Sequence, residues 1–280
     1  MGGNFRSEET EMPSSRRRLW AVVVLVAGIA TILSVRSLGS AAGEALRRNQ
    51  CEGVTPGWSM LQLELGLPVP ALQGNDAHQV GCVLTALWAE LHADFAFLLS
   101  YSVLVFAIFA FLSTPAVPLE ARPRSWGEGR WLLAVGASLS TAMLLGDALE
   151  NHTAFRLLEL AEPAKRAVFG RAFEEALPAM TTITSVKWAA LALSCLVIGA
   201  VYLVRWLADW RRPLPALGIV VTVFGVIVAC FFFRALDAGD PRLLARGMTY
   251  LAYFWIAILF HAVYAAIFAG REQRKLSQDL

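Results

Sequence analysis

An all-α, polytopic membrane bundle of six transmembrane helices, with helical extensions on the external side, is the architecture this sequence predicts. Three observations carry that prediction. Apolar residues make up 57% of the chain and charged residues only 16%, far from the balance of an ordinary soluble domain. The mean hydropathy of +0.55 is concentrated in six blocks, each long enough to cross a hydrocarbon core of about 30 Å at about 1.5 Å per residue. Runs such as AVVVLVAGIATIL and YLAYFWIAILF are apolar on every face, so the alternation a strand requires is missing. A helix then satisfies its own backbone in lipid.

The first span, residues 19–35, follows Arg16, Arg17 and Arg18. An Arg-rich start, an apolar run and the small residues Ser40, Ala41 and Ala42 also fit a secretory signal. The run exceeds the about 7 to 15 residues of a usual signal core, which favours a retained anchor. The second span, 94–112, precedes Arg122, Arg124 and Arg130. Between Val80 and Pro115 only Gly81 interrupts the chain, so this helix is expected to project above the membrane. The third span, 131–149, is expected to continue to Leu160, shortly before Pro163. The fourth, 186–207, carries Arg205, Arg211 and Arg212 at its end; the fifth covers 216–233; the sixth, 248–269, precedes Arg271, Arg274 and Lys275.

Those basic flanks all fall on one side if the N-terminus is cytoplasmic, leaving a surplus of Asp and Glu on the other. Trp20, Trp88, Trp126, Trp131, Trp188, Trp206 and Trp210 then lie near the predicted membrane boundaries, where amphipathic rings are favoured. The expected organisation is a cytoplasmic tail at 1–18, a transmembrane domain at 19–269 and a cytoplasmic tail at 270–280, in a bacterial inner membrane. Its external parts are a loop at 36–93 and a helical segment at 150–185. Membrane lipids are the expected partners. A net charge of +2 with dispersed Lys and Arg gives no stripe for nucleic acid.

The segment WSMLQLELGLPVP, bracketed by Pro56, Pro68 and Pro70, is too short to span and is expected to lie on the membrane or cap the bundle. Cys51 and Cys82 both fall in the external segment, an oxidising compartment, and are expected to form a disulfide. Cys195 and Cys230 lie inside spans without CxxC spacing, which disfavours a thiol oxidoreductase.

Ionisable groups at the centre of a span are disfavoured by about 2.5–3.5 kcal/mol each, so those present need a reason. They share one level here: Glu90, His92 and Asp94 in the second span; Asp147, Glu150, Asn151 and His152 in the third; Thr184, Ser185 and Lys187 in the fourth. Helical spacing sorts them into faces: Glu90, Asp94 and Tyr101; Asp147, Glu150 and Asn151 with Ser140 and Gly136; Thr184, Lys187 and Ser194. Hiding all three stripes from lipid requires them to face one another. The candidate site is therefore Asp94, Tyr101, Asp147, Glu150, Asn151 and Lys187. A structural packing cluster is the competing account. His92/Asp94 and Glu150/His152 are two residues apart and diverge on a helix, which disfavours a metal centre. His261 lies roughly 20 Å below the level of His92, which disfavours a bis-histidine haem. A hydrogen bond to a tyrosine or a carbonyl is the simpler expectation for it. No cofactor is named by the sequence.

LQLEL at 61–65, DFAFLLSY at 94–101, DALEN at 147–151 and Lys187 together resemble uncharacterised bacterial multi-pass proteins that carry a D-x-x-E-N helix followed by a Lys-bearing span. The resemblance stays within residues 60–200 and implies no activity. Three functions remain open. An ion or small polar substrate could bind or be carried at the cluster, although no inverted repeat or Gly/Pro-broken span is visible. A membrane enzyme could act on a lipid or lipid-linked group at the outer leaflet, with Asp94 or Glu150 as base and Lys187 stabilising an anion. A non-catalytic scaffold is the third.

Overall fold

The computed structural model describes residues 7–51, 77–114, 126–160, 166–208 and 215–276. Within them the chain forms six helices: α1 Ser7–Arg48, α2 Ala77–Ser113, α3 Trp126–Leu160, α4 Arg166–Ala208, α5 Pro215–Ala238 and α6 Pro241–Leu276. Each contains a window long and apolar enough to cross a membrane, so the chain is a polytopic membrane protein. WSMLQLELGLPVP lies outside the described residues.

Every helix packs on its sequence neighbour, and α6 returns to pack on α1. The ring is not evenly buried: 61% of the apolar window of α2 and 56% of that of α4 are buried, against 28–33% for the other helices. The two therefore form the centre, with α3 bridging them on one flank. Outward-facing Val22, Val26, Ile29, Val223, Phe260 and Ile267 are exposed large apolar side chains, as a lipid-facing surface requires.

The helices outrun the spans that hydropathy marks. On the side opposite the termini, α2, α3 and α4 continue above the turn between α5 and α6. There Val80, Val83, Leu87 and Leu91 of α2 pack with Ala154, Leu157 and Leu158 of α3 and Met180 of α4 as a second apolar core. α2 begins at Ala77, well before the 94–112 span, and α3 runs on to Leu160 as expected. α4 carries Pro178 inside its helix, which removes one backbone donor; the Thr182 hydroxyl donates to the Pro178 carbonyl at 2.8 Å. The α5–α6 turn is tight: Gly239 has φ 57°, the Asp240 N–H donates to Ala235 O at 3.2 Å, and Asp240 Oδ1 caps α6 through the Arg242 N–H at 2.8 Å.

Cys51, just past α1, and Cys82 in α2 are joined as a disulfide with Cα atoms 5.7 Å apart. Cys82 is buried beside Ala42, Leu46 and Ala86, so the bond ties the end of α1 to the projecting part of α2. Cys82→Ser is expected to make Cys51 alkylatable without reductant and to lower stability by about 2–4 kcal/mol. Full alkylation of Cys51 in unreduced wild-type protein would show that the bond does not form.

Candidate functional site

Helical geometry brings the candidate residues together. On α2, Asp94 and Tyr101 lie seven residues apart on one face; on α3, Asp147, Glu150 and Asn151 lie three and four apart on another. Lys187 comes from α4. Gly146 is what allows its approach: a Cβ there would lie 3.1 Å from Lys187 Cβ, so the α3 and α4 backbones meet closely where the ion pairs form.

Lys187 Nζ sits 2.8 Å from Asp147 Oδ1 and 2.7 Å from Glu150 Oε2. The Tyr101 hydroxyl donates to Asp147 Oδ2, so each oxygen of that carboxylate has a donor. Asn151 Nδ2 donates to Asp94 Oδ2 at 2.7 Å, joining α3 to α2. Lys187 also lies over the Trp188 ring, 4.7 Å from its centroid. The ion-paired side chains are enclosed, with Lys187 7%, Asp147 6% and Glu150 3% exposed. Asp94 is half-buried at the rim.

The six candidate residues thus form two bonded groups on facing helices, Tyr101, Asp147, Lys187 and Glu150 in one and Asp94 with Asn151 in the other. Glu90, Ser140, Thr184 and Ser194 are also buried, as their stripes predict. His92 and His152 point away and are exposed, as the two-residue spacing requires. Among the described residues no group of three or more His, Cys, Asp or Glu is arranged to hold a metal ion. The α3 carboxylates converge on an ammonium instead.

The cluster forms a polar layer between two apolar ones. The projecting core of α2, α3 and α4 lies above it, with Leu91 and Ala154 in that layer; the main core lies below, with Leu98, Met143 and Trp188. Charges held between such layers interact several times more strongly than in water. Two carboxylates meet one ammonium, and a third, Asp94, stands beside them on Asn151, so these four groups carry a surplus of negative charge when all are ionised.

Two contributors were not legible beforehand. Gly146 shows in the sequence only as a small residue preceding Asp147. Trp188, near a predicted boundary by its position, is 5% exposed and packed on Phe232 with ring centroids 4.9 Å apart. Its number places it near a boundary, while its helical face points into the bundle.

Towards the termini a smaller polar contact joins α4 and α6. Tyr202 Oη lies 2.6 Å from His261 Nδ1, and the His261 ring meets the edge of Phe111 at 5.2 Å between centroids. The expected tyrosine partner of His261 is therefore Tyr202. Nearby, the Arg205 guanidinium donates to Leu112 O at the end of α2.

The chain matches no family model, no curated protein and no solved structure.

Proposed function

We propose that this membrane protein binds a proton or a small monovalent cation at the Asp94, Tyr101, Asp147, Glu150, Asn151 and Lys187 cluster. The observation that carries this reading is the sharing of one ammonium by two enclosed carboxylates, with a third, Asp94, beside them. A buried charge without a counter-charge is strongly disfavoured, and a proton or cation relieves it. Lys187 acts as a tethered counter-ion held by Asp147 and Glu150. An arriving cation competes with it for the same oxygens, coupling occupancy to a movement of α4 against α3. Asp94 of α2 adjoins those carboxylates and is tied to α3 through Asn151.

Infrared difference spectroscopy on protein in lipid nanodiscs tests this. Lowering the pH, or adding millimolar Na⁺ at fixed pH, is expected to change the carboxylate bands. The response should be lost in Asp147→Asn and Glu150→Gln variants that stay monodisperse. A wild-type protein whose carboxylate bands respond to neither probe does not bind in this way.

The orientation proposed with this reading puts both termini in the cytoplasm of a bacterial inner membrane and the cluster at the outer level, on the strength of the arginine flanks. In a Cys230→Ser background, a cysteine at Glu174 is expected to react with an impermeant reagent in intact cells, and one at Arg130 only after lysis. The reverse pattern inverts the assignment.

A further inference from the structure

Resting on that reading of the cluster, we infer that the groove between α4 and the α5–α6 turn is the route by which a small hydrated cation or proton reaches Lys187 and its carboxylates. The groove has a volume of about 250 Å³ and is lined by Thr181, Thr184 and Ser185 of α4 and by Leu236, Asp237 and Gly239 at the end of α5. Thr181 and Asp237 are exposed, so the groove opens at the level of the turn.

Its inner end is Thr184, which is 1% exposed and lies three residues before Lys187, hence on the same face of α4. The Thr184 hydroxyl is buried and has no hydrogen-bond partner among the described residues. Among the described residues the buried hydroxyls of Ser102 and Ser140 are likewise without a bond, but of the three only Thr184 lines the groove. Thr31, Thr182, Ser194 and Thr222 each donate to the carbonyl four residues back, at 2.7–2.8 Å, which is how a helical hydroxyl is ordinarily satisfied in an apolar setting. A buried hydroxyl kept out of that bond, between an open groove and an enclosed ion cluster, is suited to exchange hydrogen bonds with a passing water or to offer a lone pair to a cation.

Along the helix axes the cluster is closed. Above the cluster lies the apolar core from Val80 to Met180, and below it the main core. The charge at the mouth has the right sign: Asp237 attracts a cation, while its neighbour Asp240 is occupied in capping α6. The turn lines the mouth directly, because Gly239 in its left-handed conformation reverses the chain within a few residues.

The test places a removable obstruction in the groove. Thr181→Cys in a Cys230→Ser background is modified with a bulky, positively charged methanethiosulfonate, and the rate of the carboxylate infrared response is followed after a pH jump or a Na⁺ jump. Modification is expected to slow the response about tenfold or more, since both bulk and charge at a focusing mouth lower the rate of arrival. Reduction of the adduct should restore the rate. The same reagent on Glu174→Cys, about two turns earlier on α4 and outside the groove lining, should leave it unchanged. Thr184→Val, which keeps the shape and removes the hydroxyl, should also slow it. A modified Thr181→Cys protein that responds at its unmodified rate overturns the route while leaving the cluster reading intact. A wild-type protein with no response overturns both. Slowing after the pH jump alone identifies the proton as the traveller, and slowing after the Na⁺ jump identifies the metal cation.

Discussion

Lys187→Met is expected to destabilise the protein by about 3–5 kcal/mol, the cost typical of removing one partner from a buried ion pair. The ammonium is the shared partner of Asp147 and Glu150, at 2.8 and 2.7 Å, in a layer closed by apolar cores on both sides. Methionine fills the space of the side chain but supplies no donor, so two carboxylates lie next to each other without a cation. The size of the effect therefore comes from what is left behind, not from the strength of the original pair. Adding Asp147→Asn and Glu150→Gln to Lys187→Met should recover most of the loss, because the amides are neutral and Tyr101 and the helix backbones still offer hydrogen bonds. Unfolding in denaturant, read by tryptophan fluorescence, checks both steps; Trp188 beside Lys187 is a local reporter. A single variant as stable as wild type, or a triple variant no better than the single one, would remove the argument that Lys187 is a built-in counter-ion.

The membership of this cluster was legible because depth and helical face are both encoded in residue numbers. Polar residues in an otherwise apolar span have one acceptable direction, towards one another, and spacings of three, four and seven fix which of them share it. That argument selects Asp147, Glu150 and Asn151 over His152, and the structure has His152 exposed. It does not say which oxygen meets which donor, because that depends on the separation of α3 and α4, set by the missing side chain of Gly146. The pairing of His261 with Tyr202 was half legible: a polar partner was required, but its identity depends on which helices α6 lies against. Helix α1 outruns its apolar span for another reason. Hydropathy marks only the lipid-buried part, 19–35 in the first span, whereas α1 runs from Ser7 to Arg48 because its flanks are rich in Glu, Arg, Ala and Leu, good helix formers. The groove at Thr184 had no sequence signal of its own; it arises where α4 continues past the level at which α5 turns back.

Packing below the cluster should control it as strongly as its own residues do, and Gly225→Val is the expected case. A Cβ on Gly225 would lie 2.7 Å from Cys195 O and 3.2 Å from Phe254 Cε2. The first of these is backbone, which cannot rotate out of the way as a side chain can. α4 and α5 must therefore separate, and a branched residue adds two methyl groups to the same crowded place. The expected loss is about 3 kcal/mol, at the upper end of overpacking, against a helix-propensity gain of only a few tenths. Cys195 lies eight residues beyond Lys187 on α4, so the displacement is transmitted along a stiff helix to the ammonium. The carboxylate response should weaken in parallel with stability, although no residue of the cluster has changed. Gly43→Ala is the control in open space: a Cβ there meets nothing within 4 Å, so an added methyl in a helix should stabilise by about 0.5–1 kcal/mol and leave the response untouched. Equal stability of the Gly225→Val and wild-type proteins in a denaturant series would show that the α4–α5 contact yields more readily than its backbone geometry implies. Reduced stability with an unchanged carboxylate response would instead show that Lys187 is held by α3 alone.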